Sequence, residues 1–185
     1  MTAFSDAEID ELRALVNGRG PIPRVRVMQA MDCDDLRVKC LAYEMVTRAD
    51  HRIRPELGTI TAGEFLLEYY LICITRKEAQ ASNEGEDDEI HNRFQAAGEL
   101  VEFLVRAWKH KPETDELIDK LVDRVTRLYL ESDDATRNCI ETGILEHALE
   151  RPHFRPLFRR WEHQSELIEA HQRALEWGLA HERQT

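Results

Sequence analysis

Residues 86–109 read EDDEIHNRFQAAGELVEFLVRAWK and form the longest uninterrupted pattern in the chain. Apolar side chains recur in this segment at alternating steps of three and four residues, which places them on one stripe of an α-helix. The other side of the segment is charged, so we predict a central helix with one solvated face and one buried face. The predicted buried stripe consists of Ile90, Phe94, Ala97, Val101, Leu104, Val105 and Trp108.

Capping signals predict six further helices around this one. Ser5 is followed three residues later by Glu8, and Thr61 by Glu64, which is the spacing of the capping box. Single polar side chains mark the other starts, because their oxygens can accept from the free amides of a first turn. These predicted caps are Asp32 or Asp34, Thr114, Ser132 with Asp133, and Ser165.

The chain shows no strand-like alternation of useful length and no repeat at a fixed spacing. With 185 residues it is long enough to hold a hydrophobic core without disulfides or metals. We therefore predict an all-α fold of about seven helices in one domain spanning residues 1–185, arranged as an irregular bundle. A short α-solenoid of antiparallel helix pairs is the alternative. The side chains expected to contribute most to the core are Phe94, Trp108, Phe158 and Trp161.

Charge and cysteine usage narrow the possible environment and partners. The formal net charge of −11 argues against binding to duplex DNA and favours a basic protein partner. No basic and apolar leader or membrane-spanning run is present, so we expect a cytoplasmic protein that does not enter the membrane. The cysteines lack a C-x-x-C pair, and we interpret them as reduced core thiols. They are Cys33, Cys40, Cys73 and Cys139.

A search for catalytic patterns finds none that fits well. There is no G-x-S-x-G elbow, no phosphate-binding glycine loop and no His-x-x-x-His pair. We therefore predict no catalytic residues, no metal and no cofactor. A metal-dependent or acid–base enzyme stays open as an alternative because of Glu68, the only charge between Phe65 and Ile74, and because of the C-terminal histidines. Glu141 and Glu146, which flank Gly143, raise the same question more weakly.

Two charged features are candidate interaction surfaces. The basic one interleaves arginines with the aromatic residues Phe154, Phe158 and Trp161, a pattern that can bind nucleic acid but more often places the aromatics in the core. It could also serve a scaffold subunit that self-associates. The acidic one is our predicted partner-binding surface, although ordinary i,i+4 ion pairs of a solvated helix face would look similar. It consists of Glu84, Glu86, Asp87, Asp88, Glu89, Asp115 and Asp119.

The segments NCIETGILEH (138–147), FRRW (158–161) and ALEWG (174–178) resemble the C-terminal half of small helical bacterial proteins of the polymorphic-toxin immunity type. The resemblance is one of general pattern and identifies no binding residue. It implies a cytoplasmic protein that neutralises a toxin by binding it. Our leading hypothesis is therefore a non-enzymatic protein-binding module, an immunity or antitoxin-like inhibitor of a basic toxin, of unknown oligomeric state.

Overall fold

The computed structural model describes residues 4–76 and 90–182, and most of these residues are helical. The prediction of an all-α bundle is confirmed, but the described residues contain nine α-helices rather than about seven. None of the helices they form is long and apolar enough to cross a membrane. The helices are α1 (Asp6–Asn17), α2 (Arg24–Met31), α3 (Leu36–Arg48), α4 (Thr59–Thr75), α5 (Arg93–Lys109), α6 (Asp115–Glu131), α7 (Asp134–Ile140), α8 (Glu146–Leu149) and α9 (Ile168–Ala180).

Shorter elements complete the fold. A π-helical turn, Glu141–Leu145, joins α7 to α8, so that residues 134–149 form one helix with a locally wider turn. Two 3₁₀ segments follow α3 and α8, and two short strands pair in parallel. The segments are Asp50–Arg52, Pro152–His163, β1 (Ile22–Pro23) and β2 (Ile53–Arg54).

The difference in helix count has two sources. The apolar segment around Val25 to Met31, whose secondary structure cannot be assigned from the sequence, forms the short helix α2. The predicted sixth helix is divided by the π turn into α7 and α8. Neither change alters the fold class.

The described residues form two compact units, which we treat separately. The first contains residues 4–69 and Ile90, and the second contains residues 70–76 and 91–182. Helix α4 begins in the first unit and ends in the second. The expectation of one domain over residues 1–185 stays a prediction.

In the first unit, Arg52 holds the end of α1. Its guanidinium donates to the carbonyl oxygens of Leu15 at 2.7 Å, Val16 at 3.0 Å and Gly20 at 2.9 Å. The last carbonyls of a helix have no partner within the helix, and a cation there is favoured by the helix dipole. This contact fixes the loop that leads from α1 into β1.

The predicted cap at Ser5 agrees with the structure, and the one at Thr114 agrees in position only. The hydroxyl of Ser5 accepts from the amide of Glu8, and the Glu8 carboxylate accepts from the amide of Ser5, which is the expected capping box. Thr114 stands at the start of α6, but its hydroxyl donates to the carbonyl oxygen of Ala107 at 2.6 Å instead of capping the first turn. It therefore ties α6 to the end of α5.

Other predicted caps are wrong by one to three residues. Asp35, not Asp32 or Asp34, caps α3, because Asp32 closes the preceding helix α2. Thr61 lies inside the first turn of α4, which begins at Thr59. Ser165 stands three residues before α9 and bonds the neighbouring Glu166 carboxylate. Neighbouring polar residues offer equivalent caps, and the path of the chain selects among them.

The predicted central helix is α5, which is shorter than the predicted segment 86–109 and buries a partly different set of side chains. Helix α5 begins at Arg93, where Asn92 and Gln95 form a capping box. Residues 86–89 lie outside the described residues, and 90–92 are not helical. Ala97, Val101 and Leu104 are buried as expected. Phe94 is 51% exposed, so its expected place in the core is wrong, because the buried face is displaced toward Ala96, Leu100 and Phe103.

The second unit is built around the helix of residues 134–149. A β-carbon on Gly143 would lie 2.8 Å from the β-carbon of Ala97 on α5, closer than side chains pack. One on Gly178 of α9 would lie 2.7 Å from the carbonyl carbon of Leu149. Gly143 and Gly178 therefore each permit a close helix crossing.

Substituting Gly143 and Gly98 by alanine should have opposite effects. We expect Gly98→Ala to stabilise the protein by about 1 kcal/mol, because alanine is the better helix former and no atom lies within 4 Å of the added methyl group. We expect Gly143→Ala to destabilise it by about 1–3 kcal/mol through overpacking. Urea unfolding of both variants measures this, and a stabilised Gly143→Ala variant would contradict the close crossing.

Candidate functional site

The structure places part of the predicted acidic surface on α6. Asp115 and Asp119 are exposed one turn apart on this helix. The apolar side chains of the same helix, among them Leu117 and Leu121, are buried. The other predicted partner-binding residues, Glu84, Glu86, Asp87, Asp88 and Glu89, lie outside the described residues.

Two carboxylates of α6 form ion pairs. Asp115 pairs with Lys111 at 3.0 Å, and Asp123 accepts a hydrogen bond from Arg160 of the Pro152–His163 segment. Glu113, Glu116 and Asp119 are also exposed around the first half of α6. Glu113, Asp115, Glu116 and Asp119 together form the α6 acidic face.

The basic and aromatic segment does not form an open surface. Phe154, Phe158 and Trp161 are fully buried, and the indole N–H of Trp161 donates to the hydroxyl of Thr126 at 2.9 Å. Three of the interleaved arginines bond carboxylates of the same unit. They are Arg151 with Glu102, Arg155 with Glu182, and Arg160 with Asp123. The interpretation of these aromatic residues as core is therefore confirmed.

A group of ionisable and aromatic side chains gathers where the end of α8 meets α9. His147 Nδ1 lies 2.7 Å from Glu150 Oε1. The Glu150 side chain is only 1% exposed, whereas that of His147 is 40% exposed. The group, called the α8–α9 cluster, consists of Glu141, Glu146, His147, Glu150, Arg173, Trp177 and His181.

Helix α9 contributes a cation and an indole to this cluster. The Arg173 guanidinium donates to both carboxylate oxygens of Glu141, at 2.6 and 2.9 Å. Such a two-point contact fixes geometry more strongly than a single bond. The Trp177 ring lies perpendicular to the His147 ring at 5.2 Å and is stacked with the His181 ring at 4.1 Å.

Burial raises the pKa of Glu146 above its usual value. The neighbouring carboxylates of Glu141 and Glu150 raise it further, and the imidazoles of His147 and His181 oppose the change. A buried carboxyl beside other carboxylates holds its proton more tightly, because its ionised form is poorly solvated and repelled.

Sequence reasoning favours an ordinary structural role for His147 and Glu150 over a functional one. A histidine and a glutamate three residues apart are common on solvated helix faces, and burial decides whether they matter. The burial of Glu150 comes from the approach of α9, whose Gly178 lies against the backbone of Leu149. Nothing in the sequence indicates that these two residues are neighbours. The two glycines, Gly143 and Gly178, are the only local sign of that tight packing.

The structure also places the residues on which the enzyme alternative rests. Glu68 is exposed on α4. Within residues 4–76 and 90–182, no three His, Cys, Asp or Glu side chains converge so as to hold a metal ion. The four cysteines are buried and form no disulfide. Burial raises the pKa of the Cys139 thiol to about 11, against a smaller lowering effect of Arg93.

A family model described as a domain of unknown function, DUF7674, matches residues 74–172, which is more than half of the chain. The chain belongs to the DUF7674 family. The matched range contains α5 to α8 and the first residues of α9, so it includes the first four members of the α8–α9 cluster. Residues 4–69 of the first unit lie outside it. No curated protein and no solved structure matches the chain.

Replacing Glu146 by glutamine should stabilise this DUF7674 protein at neutral pH. Because the folded state raises the pKa of Glu146, it binds the proton more tightly than the unfolded state does. Stability from this group is therefore fully present below the ordinary carboxyl pKa and is lost as pH rises through the raised value. Thermal unfolding at pH 4.5, 6 and 7.5 should show a larger gain for Glu146→Gln at the higher pH values.

The matched control is Glu176→Gln, which neutralises an exposed carboxylate on α9. We expect it to change the free energy of unfolding by no more than about 0.5 kcal/mol. Equal effects of the two substitutions at every pH would contradict the account of Glu146.

The native protein should resist thiol reagents. The thiolate is the reactive form of cysteine, and the buried Cys139 thiol with its pKa of about 11 forms little of it at pH 8. We expect no label on any of the four cysteines after brief treatment with iodoacetamide at pH 8, and four labels after unfolding in urea. Rapid labelling of the folded protein, seen by intact mass, would place at least one thiol at the surface.

Proposed function

We propose that this DUF7674 protein is a non-enzymatic protein-binding module that acts as an immunity or antitoxin-like inhibitor of a basic toxin in the bacterial cytoplasm. The observation that supports the proposal best is the α6 acidic face. Its four carboxylates are exposed, while the opposite side of the same helix is buried in the second unit. These carboxylates therefore face solvent, where a partner can reach them, although Asp115 also pairs with Lys111 at 3.0 Å.

Charge gives the proposal its physical basis. A field of one sign attracts a partner of the opposite sign, which speeds association and fixes the register of binding. The net charge of the chain is −11, and residues 77–89 alone carry six acidic residues and one lysine. The sequence-based expectation that Glu84, Glu86, Asp87, Asp88 and Glu89 join the partner-binding surface is part of this proposal.

The experiment is affinity capture of the tagged protein from the lysate of its own host cells, washed at low and then at high salt. Mass spectrometry should identify a basic protein in stoichiometric amount that high salt releases, because exposed ion pairs are screened by salt. The triple variant Asp115→Asn, Glu116→Gln, Asp119→Asn should recover at least about tenfold less of it. The partner should then be toxic to the host cells when they produce it without this protein.

The control variant is Glu162→Gln, Glu169→Gln, Glu176→Gln, which removes the same number of exposed carboxylates from another part of the second unit. It should recover the partner as the unchanged protein does. A second variant, in which Glu86, Asp87, Asp88 and Glu89 are replaced by the corresponding amides, tests this acidic stretch by itself. Absence of any stoichiometric partner, or equal recovery with all variants, would contradict the proposal.

A further inference from the structure

The turn between α5 and α6 holds an ammonium group on an aromatic face. Lys111 Nζ lies 4.0 Å from the centroid of the Trp108 ring and 3.0 Å from a carboxylate oxygen of Asp115. Indole is the aromatic side chain that attracts cations most strongly, and the adjacent carboxylate adds a charged hydrogen-bond acceptor. The indole and the carboxylate therefore form a cation site, which a lysine of the same chain occupies.

We propose that this cation site receives an arginine side chain of the basic partner, which displaces Lys111 from Trp108 and Asp115. The inference rests on the proposed function for the nature of the partner, and it adds the contact by which that partner is recognised. Lys111 is, on this account, an internal substitute for the partner's cation.

The backbone around the cation site is held without the Lys111 side chain. The buried Thr114 hydroxyl donates to the carbonyl oxygen of Ala107 at 2.6 Å. This bond joins the residue before Asp115 to the residue before Trp108. The indole and the carboxylate therefore stay side by side when the Lys111 side chain moves into solvent.

Neighbouring rings hold the Trp108 indole in place. The fully buried Phe154 ring meets it nearly at a right angle at 5.3 Å, and the His153 ring lies 5.3 Å from it. Burial and the nearby Arg151 lower the pKa of His153, so this imidazole is neutral at neutral pH and does not repel a cation on the indole. A ring that is already fixed loses little conformational freedom when it binds a partner.

Lys111 can leave the cation site at low cost. Its side chain is 36% exposed, and that of Asp115 is 51% exposed. Exposed ion pairs contribute little to stability, because water screens them and because ordering a long side chain costs entropy. A displaced ammonium regains its hydration and its freedom of rotation. Exchange for another cation is therefore easy, provided that the new cation binds better.

Arginine meets that condition. A guanidinium is planar and weakly hydrated, so it stacks on an aromatic face and donates two N–H groups to one carboxylate, whereas an ammonium is a compact and strongly hydrated point charge. The exposed carboxylates of Glu113, Glu116 and Asp119 lie around the start of α6 and attract a positively charged partner toward the site.

The first experiment titrates the protein with methylguanidinium, the end group of an arginine side chain, at constant ionic strength. ¹H–¹⁵N NMR follows the indole N–H signals of the three tryptophans, and Trp108→Phe or backbone assignment identifies that of Trp108. The shift of this signal per unit of concentration should be at least about threefold larger in Lys111→Ala than in the unchanged protein, because no internal cation competes.

Matched controls separate the site from general charge effects. Lys109→Ala removes an exposed lysine from the same region and should leave the response unchanged. Methylurea, which is neutral and of similar shape, should shift the Trp108 signal little. Adding Asp115→Asn to Lys111→Ala should abolish the gain. The Trp161 signal is the internal reference, because its indole bonds Thr126 in the core.

Equal responses of Lys111→Ala and the unchanged protein, or an equal gain in Lys109→Ala, would overturn the cation site. A response to methylammonium as large as that to methylguanidinium would overturn the assignment to arginine.

The second experiment measures the affinity of the captured partner by calorimetry. Lys111→Ala should bind it at least about threefold more tightly than the unchanged protein does, and Lys109→Ala should not. Equal affinities of Lys111→Ala and the unchanged protein would overturn this inference. Failure to capture a partner would instead contradict the proposed function, and the methylguanidinium titration, which uses the protein alone, keeps the two failures distinct.

Discussion

The second unit depends on two places where a glycine, which has no side chain, lets two helices approach closely. Gly143 lets α5 approach the π turn at Ala97, and Gly178 lets α9 approach the backbone of Leu149. The helix of residues 134–149 is thereby held on two sides along its second half. Interiors are packed so densely that a single added methyl group at such a contact forces a neighbour to move.

This close packing has an electrostatic consequence. It buries Glu150 and Arg151 at the end of α8, and a buried charge is costly unless it is paired and hydrogen-bonded. Arg151 meets that need by donating to the carbonyl oxygen of His147 at 2.7 Å and to the carboxylate of Glu102 at 3.2 Å. Glu150 accepts from His147 when that ring carries its proton on Nδ1. The α8–α9 cluster is in this sense a product of the packing.

The sequence predicts features that depend on neighbouring residues and misses those that depend on distant ones. The Ser5 capping box, the start of α6 at Thr114 and the exposed Asp115 and Asp119 follow from local patterns. The exposure of Phe94 does not, because it depends on which side of α5 its neighbours cover. The burial of Glu150 likewise depends on α9, and the π turn adds a residue to a pattern that reads as a regular helix.

The close crossings at Gly143 and Gly178 are the basis of the second unit, and the distances across them can be measured directly. NMR of the methyl-labelled protein can detect proximity between the Ala97 methyl group and the α protons of Gly143, and between the α protons of Gly178 and the amide proton of Glu150. The account predicts strong nuclear Overhauser effects for both pairs. Their absence, in a protein whose α5, α8 and α9 are otherwise helical, would contradict it.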